Sequence, residues 1–158
     1  TGHQDIHFSE DAFAAGKKFC NKIWNAARFV LLNKPSRIDF GSLYSPHKFS
    51  RMKNLSSADK KILKDLDKII RATDKHLEKF EFGQALHNLY EFFWHDFCDR
   101  YIEATKKETA SKFILLFVLA NSLKLLHPFI PFVTEEIYQI IQAGSKRKKL
   151  LLIEKYPN

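Results

Sequence analysis

The chain has 158 residues, 45% of them hydrophobic and 14% aromatic, which excludes a disordered tail and suits one domain with a single core. Its net charge of +8 points to a polyanionic partner, either nucleic acid or an anionic membrane surface. The longest apolar run, Phe113–Ala120, is far too short to span a bilayer, and the isolated Cys20 and Cys98, with no CxxC, argue against a zinc site of the usual spacing.

The chain opens at Thr1, not Met, and in mid-pattern, as expected of a fragment cut from something larger. No signal-peptide pattern is present, so a cytoplasmic setting with two buried free thiols is expected. Phe8-Ser9-Glu10-Asp11 predicts a helix start: Ser9 caps, two acids fill the first turn and Phe8 staples onto Phe13. This helix runs to about Asn33, with Pro35 just beyond. Residues 34–55 carry Pro35, Gly41, Pro46 and no sustained period, and read as a long loop bearing Lys34, Arg37, Lys48, Arg51 and Lys53.

Ser56 or Ser57 caps a second helix with the stripe Ile62, Leu66, Ile69, Ile70, Thr73, Leu77 and Phe80. After a break near Gly83, a third helix covers about Phe82–Lys106, with the stripe Leu86, Leu89, Phe93, Phe97, Tyr101 and Ile102. A fourth, Thr109–Leu126, is apolar most of the way round and belongs in the middle of a bundle. His127-Pro128 ends it. A fifth, Phe132–Gln142, has Glu135 and Glu136 in its first turn. Gly144–Lys149 reads as a basic, solvated turn, and Leu150–Ile153 as one short C-terminal strand in need of a partner. The fold expected is all-α, an up-and-down bundle of about five helices, with residues 1–8 as a junction, 9–143 as the bundle and 144–158 as a basic turn and extended tail.

Little catalytic chemistry is visible. Five scattered glycines build no phosphate-cradling loop. His3 and His7 lie four apart but ahead of the first helix cap, and read as exposed histidines rather than a metal pair. His87 and His95 flank an aromatic stretch and read as ordinary surface or half-buried histidines. Glu91, Asp96, Asp99 and Glu103 are expected to pair with Arg100, Lys106 and basic residues of neighbouring helices. The first helix is more distinctive. In NKIWNAARFVLLN, residues 21–33, Ile23, Trp24, Ala27, Val30 and Leu31 form a core-facing stripe, while Asn21, Lys22, Asn25, Arg28 and Asn33 face elsewhere with no acid among them. An ordinary exposed face mixes both signs.

Three stretches resemble a known family. NKIWNAARFVLLN is similar to the first helix of the anticodon-binding domain of valyl-tRNA synthetases. ALHNLYEFFWHDFCDRYIEATK, residues 85–106, resembles that family's third helix. LLHPFIPFVTEEIYQ, residues 125–139, resembles a segment shared by the valyl, isoleucyl and leucyl enzymes of class Ia. GHQDIHFSE resembles the junction where the catalytic part ends and the bundle begins. Tyr138 stands where many members have Trp.

The resemblance implies a bundle that holds the anticodon stem-loop of a valine tRNA. In the parent, a monomeric cytoplasmic enzyme, a catalytic part absent from this chain uses ATP with magnesium to join valine to that tRNA. Motifs of the HIGH and KMSKS types are absent, so the chain alone is expected to bind tRNA weakly, hold no cofactor and catalyse nothing. On a helix, Lys18, Asn21, Asn25, Arg28 and Leu32 share one stripe, and Lys22, Ala26, Phe29 and Asn33 the next. Unpaired anticodon bases suit amide and guanidinium hydrogen bonds and aromatic stacking. The expected tRNA-binding residues are therefore Lys18, Asn21, Lys22, Asn25, Arg28, Asn33, Lys34, Arg37 and Phe40. Phe29 and Tyr44 are alternative stackers, Trp24 is expected in the core, and Arg28 has pairing with Asp99 as its alternative. Competing readings of the whole are a protein-interaction or scaffold bundle, a free-standing enzyme with a site in the bundle core, and the same domain of an isoleucyl or leucyl enzyme.

Overall fold

The computed structural model describes residues 10–35, 55–107, 111–143 and 149–157. The junction, the Ser9 cap and Phe8 staple, His3, His7, most of the 34–55 loop with Arg37, Phe40 and Tyr44, and the basic turn through Lys148 lie outside the described residues; the fourth helix starts at Lys112, capped by Ser111, and not at Thr109.

Among the described residues five helical rods make an all-α, up-and-down bundle: α1 (Glu10–Leu32), α2 (Ser57–Glu78), α3, α4 (Lys112–Leu126) and α5 (Pro131–Ile141). The third rod has three parts. It starts as an α-helix, Phe82–Glu91, continues as a π-helix, Phe92–Ile102, and ends in an α-helical turn, Glu103–Lys107. The sequence reading did not foresee the π segment, although its apolar spacing contains it. Phe92, Phe93, Phe97, Cys98, Tyr101 and Ile102 are all buried. They recur at steps of four and five, which stay on one face only when each turn holds more residues than an α-helix turn.

The second helix starts as its sequence requires. Ser56 Oγ accepts from Asp59 N (3.0 Å) and Asp59 Oδ2 accepts from Ser56 N (3.1 Å), a reciprocal cap. Asp59 is buried, and its other oxygen accepts from the Tyr101 hydroxyl at 2.5 Å, pinning the start of α2 to the far end of α3. Burial, and then this bond, push the Tyr101 phenol above its ordinary range. Thus α2 and α3 are antiparallel. Their connection holds Phe80 in the left-handed region (φ 58), the helix-ending conformation that usually selects glycine.

The apolar α4 is buried at every position from Ile114 to Leu126 and lies at the centre, against α1, α2, α3 and α5. Within it Asn121 and Ser122 donate to the carbonyls of Phe117 and Val118 (2.9 and 2.7 Å). Among the described residues no helix is long and apolar enough to cross a membrane.

The start of α5 explains the residues of the LLHPFIPFVTEEIYQ stretch. Pro131 opens the helix. Thr134 Oγ1 donates to the Ile130 carbonyl (2.8 Å) and accepts from Nδ1 of His127 (2.9 Å), tying the end of α4 to α5. Glu135 and Glu136 fall in the second turn, not the first, and Glu135 serves the tail instead of the helix start: its carboxylate accepts from Leu151 N (2.9 Å). The tail is not a strand. Gln139 and Gln142 donate to the Lys149 carbonyl (2.9 and 2.8 Å), Leu151 is buried, and Leu151–Ile153 close a single 3₁₀ turn. Side chains of α5 satisfy the backbone groups that a neighbouring strand would otherwise have taken. Further on, buried Lys124 donates to the Lys155 carbonyl (3.1 Å) and faces Glu154, and burial pulls its pKa down to about 8.

Candidate nucleic-acid interface

The placement of α1 decides which of its polar residues are free. Its buried residues are Phe19, Ile23, Ala26, Ala27 and Val30. They pack on α3 in parallel register, with Phe19 on Tyr90 (ring centroids 4.9 Å apart) and Phe93 (6.1 Å) low in the bundle. Higher up, Lys106 Nζ lies 5.6 Å from the Phe29 ring centre.

The stripe Lys18, Asn21, Asn25, Arg28 and Leu32 is exposed at every position, and Leu32 reaches 83%. Lys17 and Lys34 are exposed beside it. Among the described residues, none of these cations and amides forms an ion pair or a side-chain hydrogen bond. The alternative reading of Arg28, pairing with Asp99, is not realised, and Asn25 bonds no backbone group within the described bundle.

The adjacent stripe is a seam. Lys22 Nζ sits 2.7 Å from Asp99 Oδ1 and 4.8 Å from the Trp94 ring centre. That hydrogen bond to Lys22 is the main reason the Asp99 carboxyl is held below its usual range, and His95 Nδ1, 3.1 Å from the other oxygen, adds to it. Ala26 is buried and Phe29 half-buried under Lys106. Asn33 turns back, its Nδ2 donating to the Phe29 carbonyl (2.8 Å), and serves the helix end. Of the nine residues expected to bind tRNA, Lys18, Asn21, Asn25 and Arg28 share one open arc, Lys34 is exposed just beyond the end of α1, Lys22 and Asn33 are engaged within the bundle, and Arg37 and Phe40 lie outside the described residues.

Trp24 corrects the reading that put it in the core. It is 38% exposed and stands one turn from Arg28 and Asn21 on the open side. The missed signal was angular: on a helix Trp24 falls with Lys17 and Arg28, about 100° from the core residue Ile23. Trp24, Lys17, Arg28, Asn21, Leu32, Asn25 and Lys18 occupy roughly 120° of helix circumference. Over residues 17–32 that arc offers a flat aromatic face, three cations and two amides with no acid among them, and Glu10 shares its angle about two turns before Lys17.

Other candidate chemistry resolves into structure. Arg100 pairs with Asp96 and Lys106 with Glu103 (2.5 and 2.6 Å), as their spacing predicts. His87 and His95 are surface histidines. Cys98 is buried and Cys20 only half-buried; burial pushes the Cys98 thiol up to about 12, so Cys98 stays a protonated thiol at neutral pH. Among the described residues no group of three or more His, Cys, Asp or Glu is placed to hold a metal.

Residues 59–158 match the family described as the anticodon-binding domain of tRNA ligase. The chain is 45% identical over 141 residues to a valine–tRNA ligase of Pseudothermotoga lettingae, an overlap of 85% of this chain and 15% of that protein. It is 39% identical to the valine–tRNA ligases of Geobacter sulfurreducens and Thermotoga maritima, covering 98% of this chain and 18% and 17% of theirs. The chain thus spans about one sixth of the length of these relatives.

Proposed function

Because the chain belongs to the family of anticodon-binding domains of tRNA ligases, we propose that it is the part of a valine–tRNA ligase that grips the anticodon stem-loop of a valine tRNA on the open arc of α1. The observation that carries this reading is the run of exposed, unpaired cations and amides around an exposed tryptophan, free of carboxylates. Unpaired bases present Watson–Crick edges and flat faces. Asn21, Asn25 and Arg28 supply the donors and acceptors for those edges, and Trp24 a face for stacking, which contributes about 1–3 kcal/mol per base. Lys17, Lys18 and Lys34 neutralise phosphates and set register without reading sequence.

The role in the parent enzyme is positional. Holding the anticodon end orients the acceptor end at a catalytic part elsewhere in the polypeptide, where ATP with magnesium supplies the activation chemistry. Binding energy gathered on α1 is used to orient the substrate there.

A gel-shift titration tests the reading. The chain is titrated against a valine tRNA and against the same tRNA altered at its second and third anticodon bases. The expected result is tighter binding to the unaltered tRNA, and loss of that preference in Arg28→Ala. Equal binding of both tRNAs by the wild-type chain overturns it.

A further inference from the structure

A second charged surface lies on α2, away from the α1 arc. The outward side of α2 carries Lys60, Lys64, Lys68 and Lys75, and Lys79 follows at its end; all are exposed. Successive steps of four, four, seven and four keep them within roughly 100° of circumference, and Lys60 to Lys75 spans about 22 Å. The helix neutralises other cations at the same spacing: Lys61 bonds Asp65 and Arg71 bonds Asp67, both at 3.0 Å. The five lysines of the stripe form no ion pair among the described residues. Like charges four residues apart oppose helix formation, so this arrangement works against the helix that carries it.

The stripe lies opposite the buried side of α2, and α1 and α2 meet different sides of the third rod. The α1 seam on the third rod runs through Tyr90, Trp94 and Asp99. The α2 side of that rod runs through Asp96, Arg100 and Tyr101, where a half-open cavity of about 160 Å³ lies between the two packed helices. RNA bases held on the α1 arc therefore do not lie on the α2 stripe.

We propose that the α2 stripe binds the phosphate backbone of a second stretch of RNA, without regard to sequence. Between Lys60 and Lys75 the stripe carries cations but no aromatic ring and no side-chain amide, so it suits phosphates and not base edges; the exposed Glu78, Phe80 and Phe82 stand beyond it at the helix end. A membrane surface fits less well. Membrane-lying helices insert an apolar face, and the apolar residues of α2, Ile62, Leu66 and Ile69, are buried in the bundle.

The test measures binding of a short uridine oligomer over a range of salt, for the wild-type chain and for a variant carrying Lys60→Ala, Lys64→Ala, Lys68→Ala and Lys75→Ala. Alanine favours the helix and removes like-charge pairs, so the melting midpoint holds or rises. The expected result is a loss of affinity of roughly tenfold or more at low salt, and a log–log salt slope shallower by up to about 3, at about 0.7 per phosphate contact in single strands. The variant keeps whatever preference the wild type shows for the valine anticodon. Unchanged affinity and slope overturn the proposal, as does tighter wild-type binding to phosphatidylserine vesicles than to the oligomer. The proposal does not depend on anticodon readout. Equal binding of the two tRNAs removes the α1 reading alone, and an unchanged uridine slope in the variant removes the α2 reading alone.

Discussion

Two neighbouring stripes of α1 have nearly the same chemistry and opposite circumstances. Lys18, Asn21, Asn25, Arg28 and Leu32 stand open, while Lys22, Ala26, Phe29 and Asn33 face the third rod or close the helix end. Both contain a cation and at least one amide. The difference comes from what each meets across the seam: Asp99 and Trp94 meet Lys22, and no described carboxylate meets Arg28. Residue type alone therefore does not identify a binding residue. A cation next to a carboxylate has its charge offset at home, and one without a partner is available to a phosphate or a base.

The contrast is broken most strongly from the buried side. Ile23, fully buried beneath both stripes, loses about 2–5 kcal/mol of stability on Ile23→Ala, read as a lower denaturation midpoint at unchanged slope. Asn25→Ala on the open stripe stays within about 0.5 kcal/mol of wild type in the same measurement. A large stability loss there shows that the open stripe is packed after all.

Next comes binding. Trp24→Ala costs about 1–3 kcal/mol of tRNA affinity, a stacking loss, with little change in melting because the ring is not part of the core. Isothermal titration with a valine anticodon stem-loop measures it, and equal affinity removes Trp24 from the interface.

The smallest effect sharpens the comparison. Lys22→Ala changes tRNA affinity much less than Arg28→Ala, since the Lys22 charge is already matched by Asp99. The same pair leaves a weak mark on stability against pH. The folded Asp99 pKa lies below its unfolded value of about 4. Its contribution is therefore present above that value and fades as pH falls through the depressed folded one. Both partners are partly exposed, so the amplitude stays below about 1 kcal/mol. Acid titration of wild type against Asp99→Asn shows it, with the asparagine variant flatter as pH falls below about 4.

Much of the fold was legible because it rests on local rules. Ser56 and Asp59 cap α2 through groups three residues apart, Pro131 opens α5, and the apolar α4 reads as central because no polar face is left to meet water. The C-terminal turn was misread for a nonlocal reason. Leu150–Ile153 have the composition of a strand, but Glu135, Gln139 and Gln142 take the backbone groups around them. The π segment was also hidden, because a step of four fits either kind of helix until the buried neighbours of both Phe97 and Tyr101 are known.

By itself the sequence determined five helical rods, the cap of α2, a cationic first helix and the likeness to anticodon-binding domains. Each of these depends on residues a few positions apart or on motifs in one continuous stretch. The tertiary structure alone decided that Lys22 is matched and Arg28 free, and that α2 shows its lysines on another flank. Each of those depends on which helix lies alongside: Asp99 is 77 residues from Lys22 in the chain and 2.7 Å from it in space.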